Sequence, residues 1–269
     1  MTCPVIKPDA IIPGDARDLL KCMDDKSVDL VVTSPPYWRD PRRVRYQEIT
    51  PDGYKDWFMP IAADLNRVLK DTGSFVLNIR APTINKEKHP VVFDIVTAMM
   101  HDGWQLRDEY HWIKSNPVPQ TPRYKLKDGH ESLFHFTKSD GFKFRPGSVA
   151  KDVDNCSASV SSPFDKKAIY DRSRFAKSNC KKAYPSNVLT IPVGGGTNYH
   201  PAQFPEKIPE FFIKLMSDKD DVVLDPFAGG GTTNAVAKKL CRKTIGFDLE
   251  KKFVTIANRR LKGVSCPGE

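Results

Sequence analysis

Short apolar runs alternate with amphipathic segments along most of the chain, and this alternation predicts an α/β fold. Strands are predicted where β-branched or aliphatic residues form a short run bounded by Pro, Gly or Asp. Helices are predicted where apolar residues recur every three or four positions. The predicted strands are residues 10–12, 28–32, 73–79, 222–224 and 244–247, and the predicted helices are residues 16–23, 54–70, 90–101, 205–216, 232–240 and 251–261.

The middle of the chain adds a hairpin and an irregular region. Residues 105–114 and 131–138 alternate apolar and polar positions, which is typical of an antiparallel pair. With the other elements, they predict a doubly wound, mostly parallel sheet with an antiparallel edge hairpin. Between 141 and 200, Ser, Asn, Lys, Pro and Gly dominate, so we interpret this stretch as a loop-rich insertion. Pro60 predicts a kink or a later start in helix 54–70.

Composition narrows the class of protein. The 269 residues are 39% hydrophobic, and no run approaches the ~20 apolar residues of a membrane span. The first ten residues lack an apolar signal region, so a cytoplasmic protein without a membrane partner is predicted. The six cysteines are scattered, with no CxxC pair and no His at metal-ligand spacing. We therefore expect reduced thiols and no metal.

The positive charge is concentrated in two places. The net charge is +9, and residues 123–182 carry fourteen Lys or Arg against seven Asp or Glu. A second cluster consists of Arg39, Arg42, Arg43 and Arg45. Although a charge run also suits a solvated surface, two such clusters favour a polyphosphate partner.

A glycine turn near the C-terminus follows a predicted strand and precedes a predicted helix. Residues 221–233 read DVVLDPFAGGGTT, and Asp248 ends the next strand, 19 residues after Gly229. Glycines permit positive φ and let backbone N–H groups approach a ligand at a helix N-terminus. An acidic residue at this sequence spacing can accept hydrogen bonds from the two hydroxyl groups of a ribose. These features favour a nucleoside-containing cofactor over a turn used only for packing.

The predicted strand 28–32 ends in an unusual way, since Ser34-Pro35-Pro36-Tyr37 follows it directly. Prolines fix φ and lack an N–H, so they hold the backbone rigidly. A rigid exit from the strand, with its aromatic residues in the core, is the simpler alternative.

Together the two motifs resemble those of the amino-group DNA methyltransferases. DPFAGGGTT resembles the family's S-adenosyl-L-methionine turn, and TSPPYW resembles its catalytic tetrapeptide. The order of catalytic segment, basic insertion and cofactor turn matches the family's β group, and the resemblance covers nearly the whole chain outside about 141–193. It implies a Rossmann-like S-adenosylmethionine-dependent methyltransferase fold, with residues 1–140 as its catalytic half, 141–199 as a target-recognition insertion and 200–269 as its cofactor-binding half.

The resemblance also implies roles for individual residues. The Ser34 side chain and the Pro35 carbonyl would accept hydrogen bonds from an exocyclic amine, Pro36 would help to hold that carbonyl in place, and Tyr37 would stack on a base flipped out of the duplex. The implied cofactor-binding residues are Asp15, Ala16, His200, Phe204, Asp225, Phe227, Gly229, Gly231, Thr232 and Asp248. The candidate DNA-binding residues are Arg39, Arg42, Arg43, Arg45, Arg123 and Lys125.

Some of these residues have simpler interpretations. Asp15 also suits a helix N-cap, and His200 also suits the entry to a helix. Segments 112–117 and 130–131 resemble those lining the family's target-base pocket, although a core position is favoured for Trp112.

In this family Ser at the first motif position mostly accompanies cytosine-N4 methylation, and Asp mostly accompanies adenine-N6 methylation. The chain is therefore predicted to be a site-specific cytosine-N4 DNA methyltransferase that converts S-adenosyl-L-methionine to S-adenosyl-L-homocysteine. Adenine-N6 methylation by the same site is the first alternative. A catalytically inactive DNA-binding module is the alternative from another class of protein. A small-molecule or RNA methyltransferase is the third alternative. The expected partner is double-stranded DNA, and a second copy of the chain and a cognate restriction endonuclease are candidate partners. The expected location is a prokaryotic cytoplasm.

Overall fold

The computed structural model describes residues 3–37, 49–117, 124–152, 182–194 and 205–267. The strands within them are β1 Ala10–Pro13, β2 Val28–Thr33, β3 Leu69–Ile79, β4 Thr83–Ile84, β5 Glu87–Lys88, β6 Gln105–Lys114, β7 His130–Thr137, β8 Lys151–Asp152, β9 Lys182–Ala183, β10 Val188–Ile191, β11 Val222–Asp225 and β12 Lys243–Asp248. The α-helices are α1 Ala16–Leu19, α2 Tyr54–Val68, α3 Val91–His101, α4 Lys207–Met216, α5 Thr232–Lys239 and α6 Lys251–Lys262.

Eight of these strands form one sheet in the order β1-β12-β11-β2-β3-β7-β6-β10. Strand β7 runs antiparallel to both of its neighbours, and the other pairings are parallel. The predicted fold class is therefore confirmed, including the β6–β7 hairpin. One detail differs from the prediction, because β10 extends the sheet beyond this hairpin. Strand β10 belongs to the range 141–199, so this range supplies an edge strand as well as loops.

Helices cover the sheet on both faces, which explains why consecutive residues of its central strands are apolar. Val31 of β2 packs into a cluster with residues of α1, α2 and α3, while Leu30 and Val32 pack into a second cluster with residues of α4 and α5. A parallel strand buried on both faces cannot alternate apolar and polar residues, so β2 has a continuous apolar run.

Helix α2 begins at Tyr54 and continues past Pro60, so the later start proposed for it is wrong. Proline has no N–H, so the Asp56 carbonyl lacks the hydrogen bond that residue 60 would otherwise donate to it. Both Pro60 and Asp56 are exposed. Water can satisfy that carbonyl, which makes the proline tolerable on this face. The opposite face buries Phe58, Ile61 and Leu65.

The expectation of reduced cysteines is wrong for four of the six. Cys3 is bonded to Cys22 and Cys241 to Cys266, with Cα–Cα distances of 5.4 Å and 4.9 Å. These spacings lie within the usual range for a disulfide. The linear sequence did not reveal the pairs because their members lie 19 and 25 residues apart and meet only after packing.

Two kinds of feature are absent from the described residues. None of their helices is long and apolar enough to cross a membrane. Within the same parts of the chain, no group of three or more His, Cys, Asp or Glu side chains is placed to hold a metal ion.

A buried carboxylate ties three strands together at the amino end of β2. The Asp29 side chain is 3% exposed and accepts hydrogen bonds from Lys70 Nζ at 2.8 Å and Lys143 Nζ at 3.1 Å. It also accepts one from the Val222 N–H at 3.0 Å. Burial opposes the charge of Asp29, but the hydrogen bonds from Lys70, Val222 and Lys143 outweigh it and lower the pKa of the carboxyl. Asp29 thus joins β2 to β3, β11 and the segment after β7.

We expect Asp29→Ala to reduce the free energy of unfolding by about 2 kcal/mol, because Lys70 and Val222 lose their buried acceptor. The effect should depend on pH. Since the pKa of Asp29 is lower in the folded state, its stabilisation is present above the unfolded pKa of about 3.9 and is lost as the pH falls through the folded value. Urea unfolding at pH 7 and at pH 3 measures both effects.

Asp140→Ala is the control, because Asp140 is 90% exposed in its pair with Arg107. Its urea midpoint should match that of the wild type. Equal losses in the two variants would contradict the role given to Asp29.

Candidate active site

The predicted motifs meet at one edge of the sheet, where the carboxyl ends of β1, β12, β11 and β2 lie side by side. Pro13 at the end of β1 is opposite Asp248 at the end of β12, and Asp225 at the end of β11 is opposite Gly246. Strand β2 pairs with β11, and Ser34 directly follows the last residue of β2. Open α/β sheets bind ligands at this edge.

A hydrogen bond between two buried side chains links the ends of β2 and β11. Thr33 Oγ1 donates to Asp225 Oδ1 at 2.6 Å, and the Phe227 N–H donates to the same oxygen at 3.1 Å. Thr33 is 0% exposed and Asp225 is 2% exposed. Burial raises the pKa of Asp225 to about 6, even though the hydrogen bonds from Thr33 and Phe227 act in the opposite direction. Sequence reasoning had not selected Thr33, although a hydroxyl in a buried strand just before Ser34 was a usable signal.

The glycine turn is held to the end of β12. The Gly229 N–H donates to Asp248 Oδ2 at 2.9 Å, and the Ala228 N–H donates to the Phe247 carbonyl at 2.8 Å. Gly229 and Gly231 have φ values of +50° and +70°, where side chains are disfavoured. A Cβ on Gly231 would lie 2.9 Å from Ala257 Cβ in α6. The turn therefore needs glycine both for its backbone and for packing, and it leads directly into α5.

The other two predicted acids sit beside this turn. Asp248 Oδ1 accepts from the Glu250 N–H at 2.8 Å, so both oxygens of this carboxylate organise backbone. Asp15 caps α1 by accepting from the Arg17 N–H at 2.9 Å, next to the buried Ala16. The N-cap interpretation of Asp15 is confirmed. The Gly14 N–H also donates to the Asp248 carbonyl at 3.0 Å, which brings the two acids to neighbouring strand ends.

Arg260 of α6 supports the glycine turn, although the sequence did not indicate it. Its Nη1 donates to the Gly230 carbonyl and to Thr232 Oγ1, both at 3.2 Å. Its Nη2 donates to Glu206 Oε1 at 2.5 Å. Arg260 therefore connects the turn to the residue that precedes α4.

The tetrapeptide after β2 is anchored by aromatic residues of α2. Pro35 and Pro36 are buried and Ser34 is half-buried. Tyr54 Oη donates to the Pro36 carbonyl at 2.8 Å. One helical turn later, the centre of the Trp57 ring lies 5.8 Å from the centre of the Phe227 ring in the glycine turn. Helix α2 thus packs against both motifs and sets their separation.

Tyr37 is surrounded by charged groups. Its Oη lies 3.4 Å from Glu131 Oε2, and the guanidinium of Arg80 lies 5.7 Å from the centre of its ring. Glu131 is paired with Lys114 at 2.7 Å. Burial and the charge of Glu131 raise the pKa of Tyr37 well above its usual value, while Arg80 and a hydrogen bond with Ser34 act against this rise.

Several predicted site residues lie outside the described residues, namely Arg39, Arg42, Arg43, Arg45, Arg123, His200 and Phe204. Lys125 is described, and its Nζ contacts Asp128 at 3.0 Å and Thr83 Oγ1 at 3.3 Å. Its charge is therefore shared with a neighbouring carboxylate. Trp112 is 3% exposed and donates from Nε1 to the Ile191 carbonyl at 2.8 Å, so the core interpretation of this residue is confirmed.

The sheet order and the strand-end site define the class of the chain as a doubly wound α/β protein with its candidate ligand site at the carboxyl ends of the parallel strands. The N6_N4_Mtase family model, described as DNA methylase, matches residues 28–259. The chain therefore belongs to this family of DNA methylases.

Individual relatives agree with this assignment. The type II methyltransferase M.PvuII of Proteus hauseri is 28% identical, over 90% of this chain and 80% of its own length. The type II methyltransferase M.MwoI of Methanothermobacter wolfeii is 31% identical over 93% of this chain, which spans 34% of that larger protein.

Solved structures share the fold. The PvuII DNA methyltransferase, described as cytosine-N4-specific, superposes with a TM-score of 0.70 at 25% identity and covers 97% of both chains. A putative DNA modification methylase of Thermus thermophilus, solved in complex with S-adenosyl-L-methionine, has a TM-score of 0.67 at 23% identity and covers 97% of this chain and 95% of its own.

The Thr33–Asp225 bond can be tested by removing its donor. We expect Thr33→Val to lower the free energy of unfolding by about 1–2 kcal/mol and to move the pKa of Asp225 above its wild-type value of about 6. A carboxyl whose pKa is raised on folding stabilises the fold at low pH, and this contribution is lost as the pH rises through the folded value. The ¹³C signal of the Asp225 carboxyl, assigned with Asp225→Asn, reports the titration.

Thr33→Ser keeps the hydroxyl and is the matched control, so its titration should follow that of the wild type. An unchanged Asp225 titration in Thr33→Val would contradict the assignment of the bond.

Proposed function

We propose that this protein methylates the exocyclic N4 amine of cytosine in double-stranded DNA, with S-adenosyl-L-methionine as methyl donor and S-adenosyl-L-homocysteine as product. The observation that carries the proposal is the contact between the two motifs. Ser34 directly follows Thr33, whose hydroxyl is bonded to Asp225 at the start of the glycine turn. An amine held at Ser34 and a methyl donor held at the turn would thus lie next to each other.

For the cofactor, the turn and its neighbours offer suitable polar groups. Asp248 and Asp15 lie at adjacent strand ends, where carboxylates can accept hydrogen bonds from the hydroxyl groups of a nucleoside. Gly229 and Gly231 keep the turn free of side chains. Phe227 adds an apolar surface beside it. The cofactor supplies an electrophilic sulfonium methyl group, so the protein itself needs no nucleophilic side chain.

For the amine, the tetrapeptide supplies hydrogen-bond acceptors. The lone pair of an exocyclic amine is delocalised into the ring, and acceptors that hold its hydrogens favour a pyramidal nitrogen with the lone pair available. The Pro36 carbonyl is already bonded to Tyr54, so we assign this role to Ser34 Oγ and the Pro35 carbonyl. Tyr37 supplies the stacking surface for the flipped base. Orientation of the two reactants is then the main source of catalysis.

The choice of cytosine rests on Ser34 and on the neighbouring structure. Within this family, the first residue of the tetrapeptide is mostly Ser in cytosine-N4 enzymes. The PvuII enzyme, described as cytosine-N4-specific, covers 97% of this chain at a TM-score of 0.70. Adenine N6 remains the alternative target, since either base places an amine beside a ring nitrogen.

The proposed contact with DNA involves the basic segments. Arg39, Arg42, Arg43, Arg45 and Arg123 would bind phosphates or base edges, and the region 141–199 would contribute to target recognition. A restriction endonuclease of the same specificity is the proposed partner, because M.PvuII and M.MwoI are named type II methyltransferases. A homodimer remains a prediction from the family resemblance.

The target base can be determined directly. Duplex DNA methylated with labelled cofactor and digested to nucleosides should contain labelled N4-methylcytosine. Labelled N6-methyladenine alone would shift the assignment to the alternative target. Failure to bind S-adenosyl-L-methionine in calorimetry would instead support a DNA-binding module without catalysis.

Ser34→Ala should lower turnover about 100-fold while changing cofactor affinity less than threefold, because Ser34 contacts the amine and not the cofactor. Single-turnover rates and calorimetry measure the two quantities on the same preparation. An equal loss of cofactor binding would be incompatible with this role.

Asp248→Ala should weaken S-adenosyl-L-methionine binding about tenfold or more, because it removes the carboxylate proposed for the ribose and the anchor of the Gly229 N–H. Asp9→Ala is its matched control. Asp9 accepts from the Thr244 N–H at 3.1 Å near the opposite end of the same strand, so it should affect stability but not affinity. Similar affinities in the two variants would remove Asp248 from the cofactor site.

A further inference from the structure

The proposed reaction requires a proton acceptor, and this requirement rests on the proposed function. When the exocyclic nitrogen forms its new bond to carbon, it becomes cationic and must lose one hydrogen as a proton. The Ser34 hydroxyl and the Pro35 carbonyl can accept hydrogen bonds, but neither group can retain a proton near neutral pH. A carboxylate within reach of the tetrapeptide would solve this problem.

Glu131 at the start of β7 is such a carboxylate. Its Oε2 lies 3.4 Å from Tyr37 Oη. The side chain of Ser34 is among the hydrogen-bonding partners of the same phenol. The three side chains therefore form a chain of polar groups that leads from the amine position to the carboxylate. Catalytic hydrogen bonds are often long in the absence of substrate, so a distance of 3.4 Å is compatible with this role.

Glu131 is held in an ion pair and is largely shielded from solvent. Lys114 Nζ lies 2.7 Å from its Oε1, and each side chain of this pair is 12% exposed. A second cation, Arg80, faces the ring of Tyr37 and is paired with Asp128 at 3.1 Å. Among the described carboxylates, Glu131 contacts the phenol, while Asp128 is paired with Arg80 and Lys125.

We propose that the Glu131 carboxylate is the final proton acceptor of the methyl transfer, acting through Tyr37 and Ser34. As the carbon–nitrogen bond forms, the sulfur–carbon bond breaks and its electron pair stays on sulfur, which leaves a neutral thioether. The amine proton passes to Ser34 Oγ, the Ser34 proton passes to Tyr37 Oη, and the phenolic proton passes to Glu131 Oε2. The net change is one methyl group transferred and one carboxylate protonated.

A carboxylate is a weak base, and a weak base is sufficient as the acceptor of this proton. The cation of an exocyclic amine is strongly acidic, because losing its proton restores delocalisation of the lone pair into the ring. Lys114 holds Oε1 of Glu131, and Oε2 of the same carboxylate faces the phenol.

The experiment compares Glu131→Gln, Glu131→Asp and Tyr37→Phe in single-turnover methylation of duplex DNA. Glutamine still accepts a hydrogen bond from the phenol but cannot take up the proton, so the rate should fall about 100-fold. Aspartate should restore at least a tenth of the wild-type rate. Tyr37→Phe keeps the stacking ring and should resemble Glu131→Gln. The double variant should be no slower than either single variant, because each change breaks the same relay.

The controls separate proton transfer from a structural role. The KM for DNA and the affinity for S-adenosyl-L-methionine should stay within threefold of the wild-type values in all variants. Glu109→Gln is the matched change in the same hairpin, where Glu109 accepts from Ser132 Oγ at 2.7 Å, and it should leave the rate unchanged. Thermal unfolding identifies any variant that is merely unstable, and in that case Tyr37→Phe decides the outcome.

A wild-type rate in Glu131→Gln, or additive losses in the double variant, would overturn the relay. Either result would leave the proposed function intact as long as the wild-type enzyme forms N4-methylcytosine. If the wild-type enzyme methylates no amine, the proposed function and the relay that rests on it are both overturned.

Discussion

The rest of the structure depends on the pairing of β2 with β11, which is fastened at both ends by a buried carboxylate. At one end Asp29 accepts from the Val222 N–H, and at the other end Thr33 donates to Asp225. The partners are 193 and 192 residues apart in the chain. Because β2 ends in the tetrapeptide and β11 ends in the glycine turn, this pairing brings the amine site and the cofactor site together.

Burial and hydrogen bonding shift the pKa values of the two buried carboxyls, Asp29 and Asp225, in opposite directions. Asp29 has two ammonium partners and a backbone N–H, so its pKa is lowered and its charge contributes to the stability of the fold. Asp225 has neutral partners, so burial dominates and its pKa rises to about 6. The carboxyl end of β11 therefore holds a carboxyl that can change its charge near neutral pH, while Asp29 at the amino end of β2 remains ionised there.

The antiparallel hairpin β6–β7 completes the site from the other side of β3. It places Lys114 and Glu131 together at the end of the hairpin nearest Tyr37. The same hairpin buries Trp112 against β10, which closes the sheet beyond it. One supersecondary unit thus provides both core packing and the charged surroundings of the tetrapeptide.

The sequence by itself determined the local elements, because hydrophobic periodicity and turn residues act over a few neighbouring positions. It identified the parallel sheet, the hairpin, the glycine turn with Asp248 and the tetrapeptide at Ser34. Only the tertiary structure decided which distant side chains meet. The Thr33–Asp225 bond, the support of the turn by Arg260, the Tyr37–Glu131–Lys114 cluster and the two disulfides join residues from different elements. Such contacts leave no periodic signal in a single sequence, since they arise from strand order and packing rather than from the propensity of any residue.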